Sequence, residues 1–192
     1  MHHPIPVLYF PPERGSMCNP ILSQNYDVAA DAVFVASSTR DGYGIENTRD
    51  DCWDTFWQSA GNVPHHIDII FPRPTLVQHV FVSVSAADES YTPHTIALQA
   101  GFDYNDLRTY EIKEVNLGNV WTPLRIIKGM GIDPFEVMML RVVILDNFTS
   151  GMDSRIRQLL VTGPPPPPVR VCIGDELYEG TSLHQNNPRT LR

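Results

Sequence analysis

The sequence predicts an all-β chain folded as a β-sandwich or jelly roll, and three observations predict it. From Pro64 onward, short runs of β-branched and aromatic residues alternate with polar ones. Clusters of Gly, Pro, Asn and Asp punctuate those runs at regular spacing. No stretch sustains a long helical period, which leaves short strands as the building element.

Taken in order, residues 1–25 hold Pro4, Pro6, Pro11, Pro12 and Pro20 without a period, and are expected to form a flexible arm. Residues 26–163 are expected to form the sandwich. Ala29 to Ser38 supplies a first strand before the turn cluster Thr39 to Gly44. Glu46 to Ser59 is expected to hold one helical turn capped by Thr48 or Asp50, whose oxygens accept free N–H groups. Ile67 to Phe71 is a strand that Pro72-Arg73-Pro74 closes, since proline brings no ladder N–H.

Val80 to Ser85 and Thr95 to Gly101 are strands on either side of a loop, Ala87 to His94. That loop carries two carboxylates, hydroxyls and a phenol, more chemistry than a turn requires, and polar loops on rigid scaffolds commonly bind. Asp103 to Leu107 is a turn, Tyr110 to Val115 an edge strand, and Trp121 to Ile127 a strand kept near an edge by Pro123. Val137 to Leu145, apolar on nearly both faces, is expected in the middle of the sandwich and covered on both sides. Asp146 to Asp153 is a second polar loop before alternation resumes at Arg155 to Val161. Residues 164–168 are consecutive prolines, a polyproline spacer that ends the sandwich. Residues 169–192 are expected to give one more strand and a mobile tail.

At 192 residues the chain can bury a sizeable core. A formal net charge of -8 argues against non-specific nucleic-acid binding and against anionic membranes, both of which need a basic surface. No run approaches the roughly 18 apolar residues of a membrane helix, and Ile5 to Phe10 lacks the flank and length of a signal peptide. The three cysteines, Cys18, Cys52 and Cys172, are far apart and odd in number. Reduced thiols, and hence a soluble chain in nucleus and cytoplasm, are expected.

Each chemical motif has a plainer counterpart. Asp88, Ser90 and His94 have the residue types of a nucleophilic triad, but nothing in the pattern places a base against the hydroxyl or builds an oxyanion hole. A binding loop is preferred. His65-His66-x-Asp68 offers metal-ligand types, yet strand alternation sends the two imidazoles to opposite faces. Calcium bound through backbone carbonyls of that turn stays open. Neither a cofactor nor a metal is expected. The proline run is a stiff spacer in preference to a ligand for a polyproline reader. Trp53, Phe56 and Trp57 are expected to plug the core beneath the loops. Leu191-Arg192 pairs an apolar side chain with a guanidinium, enough for capture in a small groove.

Four pieces in order resemble one family: Ser37-Ser38 through Gly42-Tyr43-Gly44; Arg49-Asp50-Asp51 with Thr55 to Ser59 and Gly61 to His65; Asp88 to Pro93; and Gly151-x-Asp153 with Ile156-Arg157-Gln158. Over about Ala29 to Val161 the chain resembles the DOC-domain subunit of the anaphase-promoting complex, a ubiquitin ligase of the cell cycle. The resemblance implies a jelly roll of the galactose-binding, discoidin-like kind. It also implies a non-catalytic subunit that shares destruction-box degrons of substrates with an activator protein and makes ubiquitination processive. The degron-facing positions match Glu89, Ser90, Tyr91 and Thr92, with Ser150, Asp153, Ser154 and Arg155 on the neighbouring loop. A tail that enters a tetratricopeptide-repeat scaffold subunit matches Leu191 and Arg192. The chain departs from the family at Thr48, which replaces an apolar residue, at Ala60, where Asp is usual, and at Ser150, where Asn is common. Two other readings of the same fold are a carbohydrate-binding module and a DOC-type module of another ubiquitin ligase.

Overall fold

A computed structural model describes residues 26–117, 121–126, 134–165, 169–173 and 176–180. The expectations for the N-terminal arm, the last three residues of the proline run and the tail with Leu191 and Arg192 lie outside the described residues. Alternating strands build two antiparallel sheets. The first has four strands, β1 (Tyr26–Asp27), β11 (Gln158–Gly163), β5 (His79–Ser83) and β8 (Trp121–Arg125), in that spatial order. The second has five, β2 (Val33–Ala36), β4 (His65–Val77), β9 (Phe135–Asn147), β6 (Pro93–Gly101) and β7 (Arg108–Glu114). A small pair, β3 (Trp57–Gln58) with β10 (Arg155–Ile156), closes one end. β12 (Val169–Ile173) pairs with β13 (Glu176–Gly180) in a two-stranded sheet of their own.

Period-2 alternation turns one face of each sheet inward. Val80, Val82, Leu124, Leu159 and Val161 of the first sheet share one core with Ile67, Ile69, Ile96, Leu98, Leu140, Val142 and Ile144 of the second. Trp57, fully buried, joins them from β3. As expected, β7 and β8 are edge strands and β9 is central in its sheet.

Three expectations are corrected. Pro72 and Pro74 do not end their strand: β4 continues to Val77. Beyond Ile70 it has lost β2 as a neighbour, and its register against β9 shifts between Ile70 and Thr75, so missing N–H groups break no ladder there. The outer face of β9 is not covered, since Arg141 and Val143 are half-buried and Leu145 is exposed. The long strand buried at every residue is instead β11, among those whose burial is described, and the backbone around Asn47 to Cys52 lies over its Gln158 and accepts the amide hydrogens. Finally, the expected helical turn is a 3₁₀ turn, Ile45–Thr48, that begins after Gly44 with no side-chain cap. Thr48 is its buried last residue and donates to the Ile45 carbonyl at 2.7 Å, which satisfies the hydroxyl at an otherwise apolar position.

Candidate functional site

Two loops cross between the sheets at the same end. The first leaves β5 and reaches β6 through a 3₁₀ turn, Ala86–Tyr91, opened by Ser85, whose hydroxyl accepts the Ala87 N–H. Glu89 sits at φ 49°, ψ -114°, exposed. Thr92 is buried, its hydroxyl donating to the Ser85 carbonyl at 2.8 Å and its N–H to the Glu89 carbonyl at 3.1 Å. The second loop leaves β9 through a 3₁₀ turn, Phe148–Ser150, and returns by way of β10 to β11. Buried Asn147 ties it: its amide donates to the carbonyls of Gly151 and Asp153 and its oxygen accepts from Ser154. Asp153 accepts the Gly61 N–H at 2.9 Å, and His65 donates to the Met152 carbonyl at 2.8 Å.

The loops touch. The Phe148 N–H donates to the Thr92 carbonyl at 2.9 Å. Gly151 packs so closely that a Cβ there would stand 1.7 Å from the Ser90 carbonyl oxygen. Only a residue without a side chain permits that approach. Among the described residues, the non-glycine positions with positive φ are Asp51, Glu89, Thr149 and Ser150, three of them in these two turns. Such conformations cost about 1–3 kcal/mol each and concentrate at binding and catalytic sites.

Beneath the loops lies a charged and aromatic floor. The carboxylate of Asp88, 5% exposed, accepts from Arg157 at 2.6 and 3.0 Å and from Arg155 at 3.1 Å. Arg155 also donates to Gln58 across the β3–β10 pair at 3.0 Å. Its guanidinium lies 4.1 Å from the Tyr91 ring centre and 4.4 Å from that of Phe56, which also carries Arg157 at 4.7 Å and stacks on Tyr43 at 4.8 Å. Planar cations on aromatic faces hold each other's orientation. The floor therefore fixes Tyr91 from below.

Of the eight expected contact residues, all lie in or beside this loop pair. Glu89 and Ser150 are exposed, while Ser90, Tyr91, Asp153 and Arg155 are half-buried. Thr92 and Ser154 turn inward instead, their hydroxyls spent on Ser85 and Asn147. The three aromatics expected in the core divide: Trp57 is buried there, Phe56 belongs to the floor, and Trp53 is half-buried with its carbonyl accepting from Arg157. Asn147, Gln58, Phe56 and Arg157 were not singled out as site residues. Period 2 contained a signal for Arg157, which shares a face with Arg155.

The triad types do not assemble around Ser90, because Asp88 is taken by the arginines and His94 Nδ1 faces Asp146 at 3.4 Å. His65 and His66 do part: His65 is buried at Met152, whereas His66 is half-buried 4.0 Å from Asp68. Among the described residues no group of three His, Cys, Asp or Glu side chains is placed to hold a metal ion. What the loop pair offers is a rigid rim of carboxylate, hydroxyl, phenol and guanidinium groups. That chemistry suits a short polar peptide.

Similarity to known proteins extends over most of the chain. The family described as "Anaphase-promoting complex, subunit 10 (APC10)" matches residues 12–187. Anaphase-promoting complex subunit 10 of Drosophila melanogaster is 32% identical over 139 residues, covering 72% of this chain and 71% of the relative. The Homo sapiens protein of that name is 32% identical over 143 residues, with 72% and 75% covered, and that of Schizosaccharomyces pombe 34% over 142, with 72% and 74%. Among solved structures, a family 32 carbohydrate-binding module from C. perfringens NanJ in complex with galactose aligns at TM-score 0.60 and 9% identity, covering 72% of this chain and 98% of that one. Another such module, from a family 31 glycoside hydrolase of Clostridium perfringens, aligns at 0.59 and 16%, with 74% and 96% covered. At such identities the likeness gives the fold alone, a discoidin-like jelly roll.

Proposed function

Because the chain belongs to the anaphase-promoting complex subunit 10 family, we propose that it is the subunit of that ubiquitin ligase which, with an activator protein, receives destruction-box degrons. It has no catalytic part of its own in this reading. The observation that carries the reading is the contact of the two crossing loops at Ser90 and Gly151. It supports one continuous peptide surface from Glu89, Ser90 and Tyr91 to Ser150, Asp153 and Arg155, with Thr92 and Ser154 bracing it from within.

Glu89 offers a carboxylate to a basic or amide group, Ser90 and Ser150 offer hydroxyls, and Tyr91 an apolar ring with a polar tip. Each neutral hydrogen bond contributes about 0.5–1.5 kcal/mol, too little alone. Sharing the peptide with the activator makes the second contact effectively intramolecular, which converts weak contacts into longer residence and processive ubiquitin transfer.

The test replaces Glu89, Ser90 and Tyr91 together with Ala, leaving the buried brace Thr92 in place, and follows ubiquitin chain growth on a destruction-box substrate. Fewer ubiquitins per encounter, with the fold retained, is the expected result; unchanged processivity would refute the assignment. In the same preparations, removal of Leu191 and Arg192 tests the proposed contact with a tetratricopeptide-repeat scaffold subunit. That proposal fails if co-purification with the scaffold is undiminished.

A further inference from the structure

An open hollow of about 510 Å³ adjoins the loop pair, lined by His94, Glu114, Val115, Asn116, Leu117 and Phe148. It belongs to none of the contacts assigned above, yet it is continuous with them. Phe148 is part of the second 3₁₀ turn and also a wall of the hollow. His94 follows Thr92 by two residues and meets the Phe148 ring edge-on at 4.5 Å. The hollow thus adjoins the Ser90–Gly151 contact on its Phe148 side, where the Phe148 carbonyl accepts the Gly151 N–H at 3.3 Å.

The lining has two chemistries. Leu117, 40% exposed, and Phe148 form an apolar wall over buried Val115, whose N–H donates to the His94 carbonyl. At the mouth stands the exposed carboxylate of Glu114. Behind His94 is a second carboxylate, Asp146, which accepts the Thr95 N–H at 2.7 Å and lies 3.4 Å from His94 Nδ1. Among the described residues no lysine or arginine lines the space, and neighbouring Lys113 is committed to the Pro123 carbonyl at 2.7 Å.

An apolar wall leading to carboxylates, with an aromatic ring beside them, matches a side chain that has an aliphatic stem and a cationic head. We propose that this hollow is a subsite for a lysine or arginine of the substrate, flanking the part of the degron held by the two turns. The inference rests on the peptide-receptor reading. It adds a preference in the flanking sequence that the loop contacts alone would not impose. Exposed charge pairs are screened and weak, so the expected preference is modest, about two- to fivefold in affinity.

The experiment measures competition by destruction-box peptides for the assembled ligase with its activator, scanning Lys, Ala and Glu through each position on both flanks. One flank position should favour Lys over Glu, Glu114→Gln should flatten that preference, and Glu114→Lys should reverse it while the peptide with Ala flanks competes as before. Glu114 is exposed, so the fold is not at stake. A flank profile identical in wild type and Glu114→Lys, with the Ala-flanked peptide still sensitive to replacement of Glu89 to Tyr91, overturns the hollow and leaves the receptor reading standing. Loss of that sensitivity overturns the receptor reading, and the hollow with it.

Discussion

Replacing Gly151 with Ala is expected to pry the two turns apart. Gly151 has φ -63° and ψ 146°, a conformation any residue adopts, so alanine brings no backbone strain. Its methyl carbon would stand 1.7 Å from the Ser90 carbonyl oxygen and 2.6 Å from the Ser90 carbonyl carbon. A carbon beside a carbonyl oxygen normally keeps about 3.3–3.6 Å, so the turns must separate by roughly 1.6 Å or more. Both obstacles are backbone atoms and no rotamer change relieves them. Overpacking of this kind costs about 1–3 kcal/mol, and the upper half of that range applies here. For a domain of this size, 2–3 kcal/mol corresponds to a Tm lowered by about 5–10 °C. Thermal unfolding of the full chain measures the first effect, and competition by a destruction-box peptide for the assembled ligase measures the second, a weakened peptide. A Tm within about 1 °C of wild type together with unchanged competition would refute the close contact and the peptide surface drawn across it.

Two further outcomes are expected. Asp88→Asn keeps the shape of the floor but leaves two guanidiniums facing a neutral amide; breaking a buried ion pair costs about 3–5 kcal/mol, and the partial exposure of Arg155 places this variant near the lower end. Chemical denaturation should register about 3 kcal/mol, whereas a loss under 1 kcal/mol would mean that the aromatic stack alone holds the loops. Stability should also fall on mild acidification. Burial, then Arg125 and Lys113, hold the His79 imidazole below its ordinary 6.5. Burial and Arg141 lower His66 against the opposing pull of Asp68. Groups with depressed folded pKa values bind protons more readily when unfolded, so the stability they hold is complete above about pH 6.5 and is lost as pH falls through the folded values. His79→Gln should flatten the slope of stability between about pH 7 and 5; an unaltered slope would place the titration elsewhere.

The fold was legible where the hydrophobic period is unbroken. Alternation at Val80 to Ser85, Thr95 to Gly101 and Arg155 to Val161 located strands, and Pro123 marked an edge. It was illegible where tertiary neighbours decide. Pro72 and Pro74 end a strand only if a partner needs their N–H groups, and no local pattern shows that β2 stops at Ile70. Apolar residues on both faces of β9 do not reveal that its outer face is uncovered, nor that Gln158 of β11 lies beneath another loop. In the site, the surplus of polar groups marked both loops. Thr92, however, is the extended residue that ends one 3₁₀ turn and Ser154 lies between the other turn and β10, so no sustained period runs through either position and their inward direction carried no sequence signal. Phe56 and Trp57 are a different case. Adjacent strand residues face opposite ways, which separates a floor aromatic from a core one even though they stand side by side.

Each of the two turns leaves one sheet of the sandwich and delivers the chain toward the other. Their contact acts as a caliper set across the sandwich: a change in the spacing of the sheets moves its jaws. A substitution such as Ile144→Val, fully buried at the base of the second loop's strand, can reset that contact without touching any ligand. If the loop pair receives the degron as proposed, drift in the interior is inherited as drift in substrate choice. Comparing only the loops of two relatives would miss where their preferences diverged.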